Sequence, residues 1–303
     1  MLAPVALFVY KRHEHTERLL ESLANNFLAE QTELFIFSDG AKKTSDQDAV
    51  CKVRAVINNP EWKSRFKNIS VIAADKNKGL AASVINGVTD ILNQYGKIIV
   101  VEDDLILSKA FLCYMNKALD YYEEIPDIWS ISGYSFPLKS LKKYPHDVFY
   151  SYRGCSWGWA TWKDRWKQVD WNVTEYERFA ADPNWIRNFN RGGNDLSQML
   201  GHQKSGIIDS WAIRWCFTQS NVGMYTVYPK NSYVINDGCD GSGTHCGFST
   251  AYNTELWEAS EVKLEVLKIE PKITREFWKK YSDTLDKKII RNLRKIFQCG
   301  EAT

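Results

Sequence analysis

Short apolar runs alternate with stretches of helical periodicity through the first hundred residues. Residues 4–10 (PVALFVY) have no polar break and predict a strand buried on both faces. Thr16 is placed to cap a helix that carries Leu19, Leu20, Leu23 and Phe27 on one side. Residues 34–37 (LFIF) predict a second strand, 69–74 a third and 97–101 (KIIVV) a fourth. Residues 79–95 read as a helix, with Leu80, Val84, Val88, Ile91 and Leu92 at helical spacing and Gly96 as the stop. This order predicts an α/β fold, a Rossmann-like, mostly parallel sheet flanked by helices and joined by right-handed crossovers.

Beyond residue 105 the pattern is mixed. Residues 111–122 look helical and 128–131 strand-like; helices are expected over 175–190 and 209–220, and short strands over 224–228 and 232–236. The expected organisation is a domain over 1–250, with halves 1–105 and 106–250, and a basic helical segment over 251–303. Within that segment, residues 263–298 hold eleven Lys or Arg against five Asp or Glu. The stretch LDKKIIRNLRKIF suits a solvated helix packed on the domain, or one lying on anionic lipid.

In parallel sheets, ligands bind beyond the carboxyl ends of the strands. Polar signals stand at all four predicted ends: Lys11-Arg12, Ser38-Asp39-Gly40, Asp75-Lys76-Asn77 and Glu102-Asp103-Asp104. The motifs that would name other chemistries are missing. The first strand is not followed by GxGxxG, and the sequence has no GxxxxGK[ST], GxSxG or HExxH.

Composition narrows the classes further. With 303 residues, 44% hydrophobic and 25% charged, the chain is neither disordered, collagen-like nor coiled-coil. A net charge of +2 gives no overall field for nucleic acid. The opening MLAPVALFVYKR lacks the basic region and cleavage site of a secretory signal, and no apolar run reaches the roughly 20 residues of a membrane span. Seven scattered cysteines without a CxxC pair read as reduced thiols, so a cytoplasmic protein is expected, and the sequons at Asn68 and Asn172 read as chance. Twelve Trp and fifteen Tyr are a surplus that suits a core and also suits sugar rings.

Three acids at the end of an apolar strand are costly unless a cation meets them. A hard divalent ion, Mn²⁺ or Mg²⁺, with phosphate oxygens fits such a cluster. At an effective dielectric of ~20, one charge pair ~4 Å apart is worth about 4 kcal/mol. The alternative is an acidic loop that caps a helix starting near Ser108.

VALFVYKR, LFIFSDG, NKGLAASVINGV and KIIVVEDDL together resemble the GT-A glycosyltransferase fold, over roughly residues 3–250. They are similar to family 2-type bacterial sugar transferases and to the Golgi N-acetylglucosaminyltransferase type, whose acidic motif is also Glu-Asp-Asp. The resemblance implies an inverting, metal-dependent transfer from a nucleotide-diphosphate sugar, such as a UDP-sugar, to a glycan or lipid-linked acceptor in cell-surface polysaccharide synthesis. It places Arg12 at the nucleotide, Asp39 at the uracil, Glu102 at the donor sugar, Asp103 at the ribose and Asp104 on the metal. Asn77 and Gly79 lie in the loop facing the nucleotide, where Asn77 is equally suited to capping the loop.

The resemblance also makes Asp209, in an Asp-x-Trp-x-x-Arg pattern with Trp211 and Arg214, the expected catalytic base; a helix N-cap is the other reading, and the two are compatible. In the Gly-rich loop 236–247, His245 is a candidate for metal or phosphate, and the backbone N–H groups for the diphosphate. Arg153 is a candidate for neutralising the diphosphate. Trp157 or Trp159 could stack on a sugar, whereas the spacing of Trp162 and Trp166 favours the core. A sugar nucleotidylyltransferase and a non-enzymatic carbohydrate-binding protein are the alternatives. The first would need a glycine-rich loop after the first strand, and the second would need no nucleotide.

Overall fold

The computed structural model describes residues 1–238 and 252–281. The first half runs β1 (Val5–Val9), α1 (His13–Ala24), β2 (Glu33–Ser38), α2 (Gln47–Ile57), β3 (Asn68–Ala73), α3 (Leu80–Tyr95) and β4 (Lys97–Glu102). It continues with β5 (Leu105–Leu107), α4 (Phe111–Tyr122), β6 (Ile128–Ser132), β7 (Val148–Ser151), β8 (Trp159–Trp162) and α5 (Lys163–Trp166). Then come α6 (Tyr176–Ala181), α7 (Pro183–Phe189), α8 (Asp195–Lys204), α9 (Trp211–Asn221), β9 (Tyr225–Pro229), β10 (Val234–Asn236) and α10 (Pro271–Tyr281).

Eight strands form one sheet in the order β3-β2-β1-β4-β8-β6-β9-β7. The pairs β3-β2, β2-β1, β1-β4 and β6-β9 are parallel, and β8 and β7 run against their neighbours. A separate antiparallel pair joins β10 to β5. The unbroken apolar character of β1 follows from helices on both faces. Val5, Leu7 and Val9 pack with α1, α2 and α4, while Ala6 and Phe8 pack with α3 and α9.

Several expectations are corrected. Thr16 does not cap α1; it lies inside the helix, and its hydroxyl donates to Arg12 O at 2.8 Å. Phe27 lies beyond the end of α1 and is exposed, and Leu80 is exposed at the start of α3. Two short helices replace the single one expected over 175–190, because Pro183 starts a new helix with Asp182 as its cap. β7 and β8 are not legible in the sequence; both are fully buried, so neither shows a period-2 pattern.

The boundary at 250/251 does not divide the packing. Val262, Leu264, Ile273 and Phe277 lie in the main core. Lys117 Nζ and Tyr122 OH donate to Val262 O and Glu265 O, at 2.7 Å each. Residues 285–297, the candidate lipid-binding stretch, lie outside the described residues. Among the described residues, no helix is long and apolar enough to cross a membrane, and Cys51, Cys113, Cys155 and Cys216 are free thiols.

Candidate functional site

The carboxyl ends of β1 and β4 bring Arg12 against the acidic turn. One terminal guanidinium nitrogen of Arg12 donates to Asp103 Oδ1 and lies 3.1 Å from Asp104 Oδ2. The other, Nη1, is buried without a hydrogen-bond partner among the described residues. Burial works against the Arg12 charge, but Asp103 and Asp104 outweigh it and raise its pKa. One guanidinium therefore faces three carboxyl groups. Burial, then Asp104 and Asp103, push the Glu102 carboxyl up to about 8, with Arg12 opposing. Burial pushes Asp103 up to about 6 against the pull of Arg12. β5 separates these acids from α4, so they do not cap that helix. The carboxylate at its amino end belongs to Glu258, which accepts from Lys109 N at 2.9 Å.

The β5-β10 pair brings the start of the Gly-rich loop, Asp237 and Gly238, to the acidic turn. Asn236 pairs with Leu105, which sets Asp237 and Gly238 beside Asp104. Asp237 N donates to Asp104 O at 2.7 Å. The Asp237 carboxylate receives Arg18 Nε at 3.0 Å and Nη2 at 2.6 Å. Gly238 approaches Asp104 so closely that a Cβ there would stand 2.8 Å from the Asp104 Cβ.

At the ends of β2 and β3, Asp39 joins two loops. Its Oδ1 accepts from Gly40 N and Lys78 N, each at 2.8 Å. Its Oδ2 accepts from Asn77 Nδ2 at 2.9 Å and Gly79 N at 3.0 Å. Asn77 Nδ2 also donates to Gly40 O. A carboxylate has about four acceptor positions, and four protein donors already use those of Asp39. The side chain is therefore a pin rather than a free acceptor for a uracil. Asn77 ties the loop, and Gly79 presents its N–H to the pin ahead of α3. The two loops touch backbone to backbone, since a Cβ on Gly40 would lie 2.6 Å from the Lys76 carbonyl carbon.

The remaining candidates are not brought into this cluster by any described contact. Asp209 is 68% exposed and pairs with Arg214 Nη2 at 2.8 Å. It is not the N-cap of α9; Ser210 is, accepting from Ile213 N. Arg153 is buried, forks onto both oxygens of Asp195 at 2.8 Å and lies 3.6 Å from the Tyr281 ring centroid. Its charge is already met there, which corrects the expectation that it neutralises a diphosphate. Trp159 is fully buried and stacks on Trp211 at 4.9 Å and Trp166 at 5.7 Å, so it offers no face to a sugar. Trp157 is half-buried, edge-on to Tyr134 and Tyr252. Trp162 and Trp166 are core residues. His245 lies outside the described residues.

The donor set suits a divalent cation by its chemistry. Asp104 and Glu102 are hard oxygen donors, and the single Arg12 leaves the turn with excess negative charge. Among the described residues, no three His, Cys, Asp or Glu side chains converge closely enough to enclose a metal. Further ligands would come from phosphate and water.

No family model matches the chain, and no curated protein matches it. Among solved structures, the crystal structure of S. aureus TarS superposes with a TM-score of 0.31 at 17% identity. That match covers 41% of this chain and 20% of TarS, and it carries no argument about fold or function.

Proposed function

We propose that the protein is an inverting glycosyltransferase of the GT-A type that uses a nucleotide-diphosphate sugar, such as a UDP-sugar. One observation carries the reading. The parallel strands β3-β2-β1-β4 end at one edge, where Arg12, the Asp39-pinned loops and the Glu102-Asp103-Asp104 turn gather. Such an edge is where nucleotide ligands bind in open α/β sheets.

Asp104, with Glu102 beside it, would hold a divalent cation, Mn²⁺ or Mg²⁺, which when bound would supply charge neutralisation for the leaving diphosphate. Arg12 offers to the nucleotide the buried nitrogen that has no partner among the described residues. Asp103 orients Arg12 and faces the ribose. The pinned loops form a rigid wall for the base through their backbone rather than through the Asp39 carboxylate. Asp209 accepts the acceptor's hydroxyl proton while that oxygen's electron pair forms the bond to the anomeric carbon. The bond from that carbon to the diphosphate oxygen breaks, and its electron pair leaves with the nucleotide. The acceptor is a glycan or lipid-linked sugar, reached at the inner face of a bacterial membrane through the basic stretch 285–297.

Thermal shift with UDP, GDP, dTDP and CMP, each with and without Mn²⁺, tests the reading. A Mn²⁺-dependent rise in midpoint with one nucleotide, lost in Asp104→Ala, is expected. No shift with any nucleotide rejects it.

A further inference from the structure

A cavity lies away from the acidic turn, past the other end of the β5-β10 pair. It is small, about 40 Å³, and open to solvent, and its lining includes Asp147, Asn231, Tyr233, Trp257, Glu261 and Val262. Tyr233 and Val262 are buried and form its floor. Trp257 is 43% exposed. Its backbone is fastened on both sides: its N–H donates to Ser232 O at 2.7 Å, and its carbonyl accepts from Ser108 Oγ at 2.6 Å. The backbone that carries the indole is thus fixed at the rim, and the ring presents an exposed apolar face there.

The polar groups around it have spare hydrogen-bonding capacity. Asp147 Oδ2 accepts from Lys263 N at 2.9 Å, and Oδ1 has no partner among the described residues. The Asn231 amide and the Glu261 carboxylate are exposed and have no side-chain partner among the described residues. An exposed aromatic face beside planar carboxylate and amide groups suits a sugar ring. The ring's C–H face packs on indole, and its hydroxyls donate to the acids and bond with the amide in both directions. Two carboxylates at the rim disfavour an anionic ligand such as a phosphate or uronate.

From this we propose that the rim of this cavity, at the exposed face of Trp257, binds a neutral glycosyl residue. Four residue steps of extended chain lead from Asp104 to Ser108, which is bonded to Trp257, a span of roughly 13 Å. An acceptor glycan of several residues would reach from one site to the other. That assignment to the acceptor rests on the transferase reading, whereas sugar binding at Trp257 does not.

The test is binding of the full chain to an array of neutral and anionic oligosaccharides, run beside the UDP–Mn²⁺ thermal shift. The wild type is expected to bind a neutral glycan. Trp257→Ala should lower that signal about tenfold, and Glu261→Gln should also weaken it. Both variants should keep the wild-type melting midpoint and the UDP–Mn²⁺ shift. No neutral glycan bound, a preference for anionic glycans, or an undiminished signal in Trp257→Ala would overturn the proposal. A glycan signal without a nucleotide shift would reject the transferase and leave the sugar site standing. The reverse pattern would do the opposite.

Discussion

Gly238 stands against Asp104 with no room for a side chain: a methyl group there would sit 2.8 Å from the Asp104 Cβ and 2.9 Å from its Cγ. Gly238→Ala should therefore push Asp104 off its position beside Arg12. Overpacking of this kind costs about 1–3 kcal/mol. The expected result is a folded protein with a modestly lower midpoint and a lost or strongly weakened UDP–Mn²⁺ shift. Wild-type nucleotide binding in this variant would show that the contact does not matter to the site.

The crowding of Glu102 has a pH signature. Its folded value of about 8 lies above its ordinary value of 4.5, and Asp103 at about 6 lies above 3.8. The folded state binds more protons than the unfolded state between those limits, so stability falls as pH rises through them. The fall attributable to Glu102 runs from about pH 4.5 to 8 and levels off above. Melting midpoints of the cation-free protein should therefore drop between pH 5 and 8, and Glu102→Gln should flatten the drop. A cation should bind more tightly over the same range as pH rises, because it competes with the proton on Glu102.

Asp39 separates a pinning role from base recognition. Asp39→Ala would orphan the N–H groups of Gly40, Lys78 and Gly79. Losing charge-assisted, buried bonds of this type costs at least about 2 kcal/mol, measurable by urea unfolding. Affinity for all nucleotides should fall together. A loss confined to uridine nucleotides would instead mean that the carboxylate reads the base.

For Asp209, replacement by Asn should leave UDP–Mn²⁺ binding intact and lower turnover by at least ~10². Normal sugar transfer in that variant would place the base elsewhere.

The tryptophans divide by burial. Trp159→Ala removes a ring packed among Trp166, Trp211 and Trp215, at a cost of about 3–5 kcal/mol. Trp157→Ala, at a half-buried site, should cost clearly less. Denaturant titration of both variants checks the contrast.

Local chemistry determined much of this protein in advance. The four parallel strands, the helices between them and the polar residues at their ends were legible because each depends on neighbours a few residues away. An unbroken apolar run marks a strand covered on both faces, and Gly96 stops a helix whatever lies elsewhere. The acidic triplet announced itself in the same way, because charges at the end of an apolar strand need a partner.

Tertiary structure decided the rest. Asp237 and Gly238 meet Asp104 because β10 pairs with β5 across more than a hundred residues, and no local spacing encodes that register. The donors to Asp39 arrive on a loop beyond β3, turning an apparently free acceptor into a pin. Arg153 gave the appearance of an available charge until the fold set Asp195 against it, and Trp159 that of an available platform until three other indoles closed around it. The segment 252–281, charged enough to look detached, enters the core through a few apolar side chains. In each case, burial and pairing between distant parts of the chain set the outcome, and these depend on the assembled sheet rather than on sequence spacing.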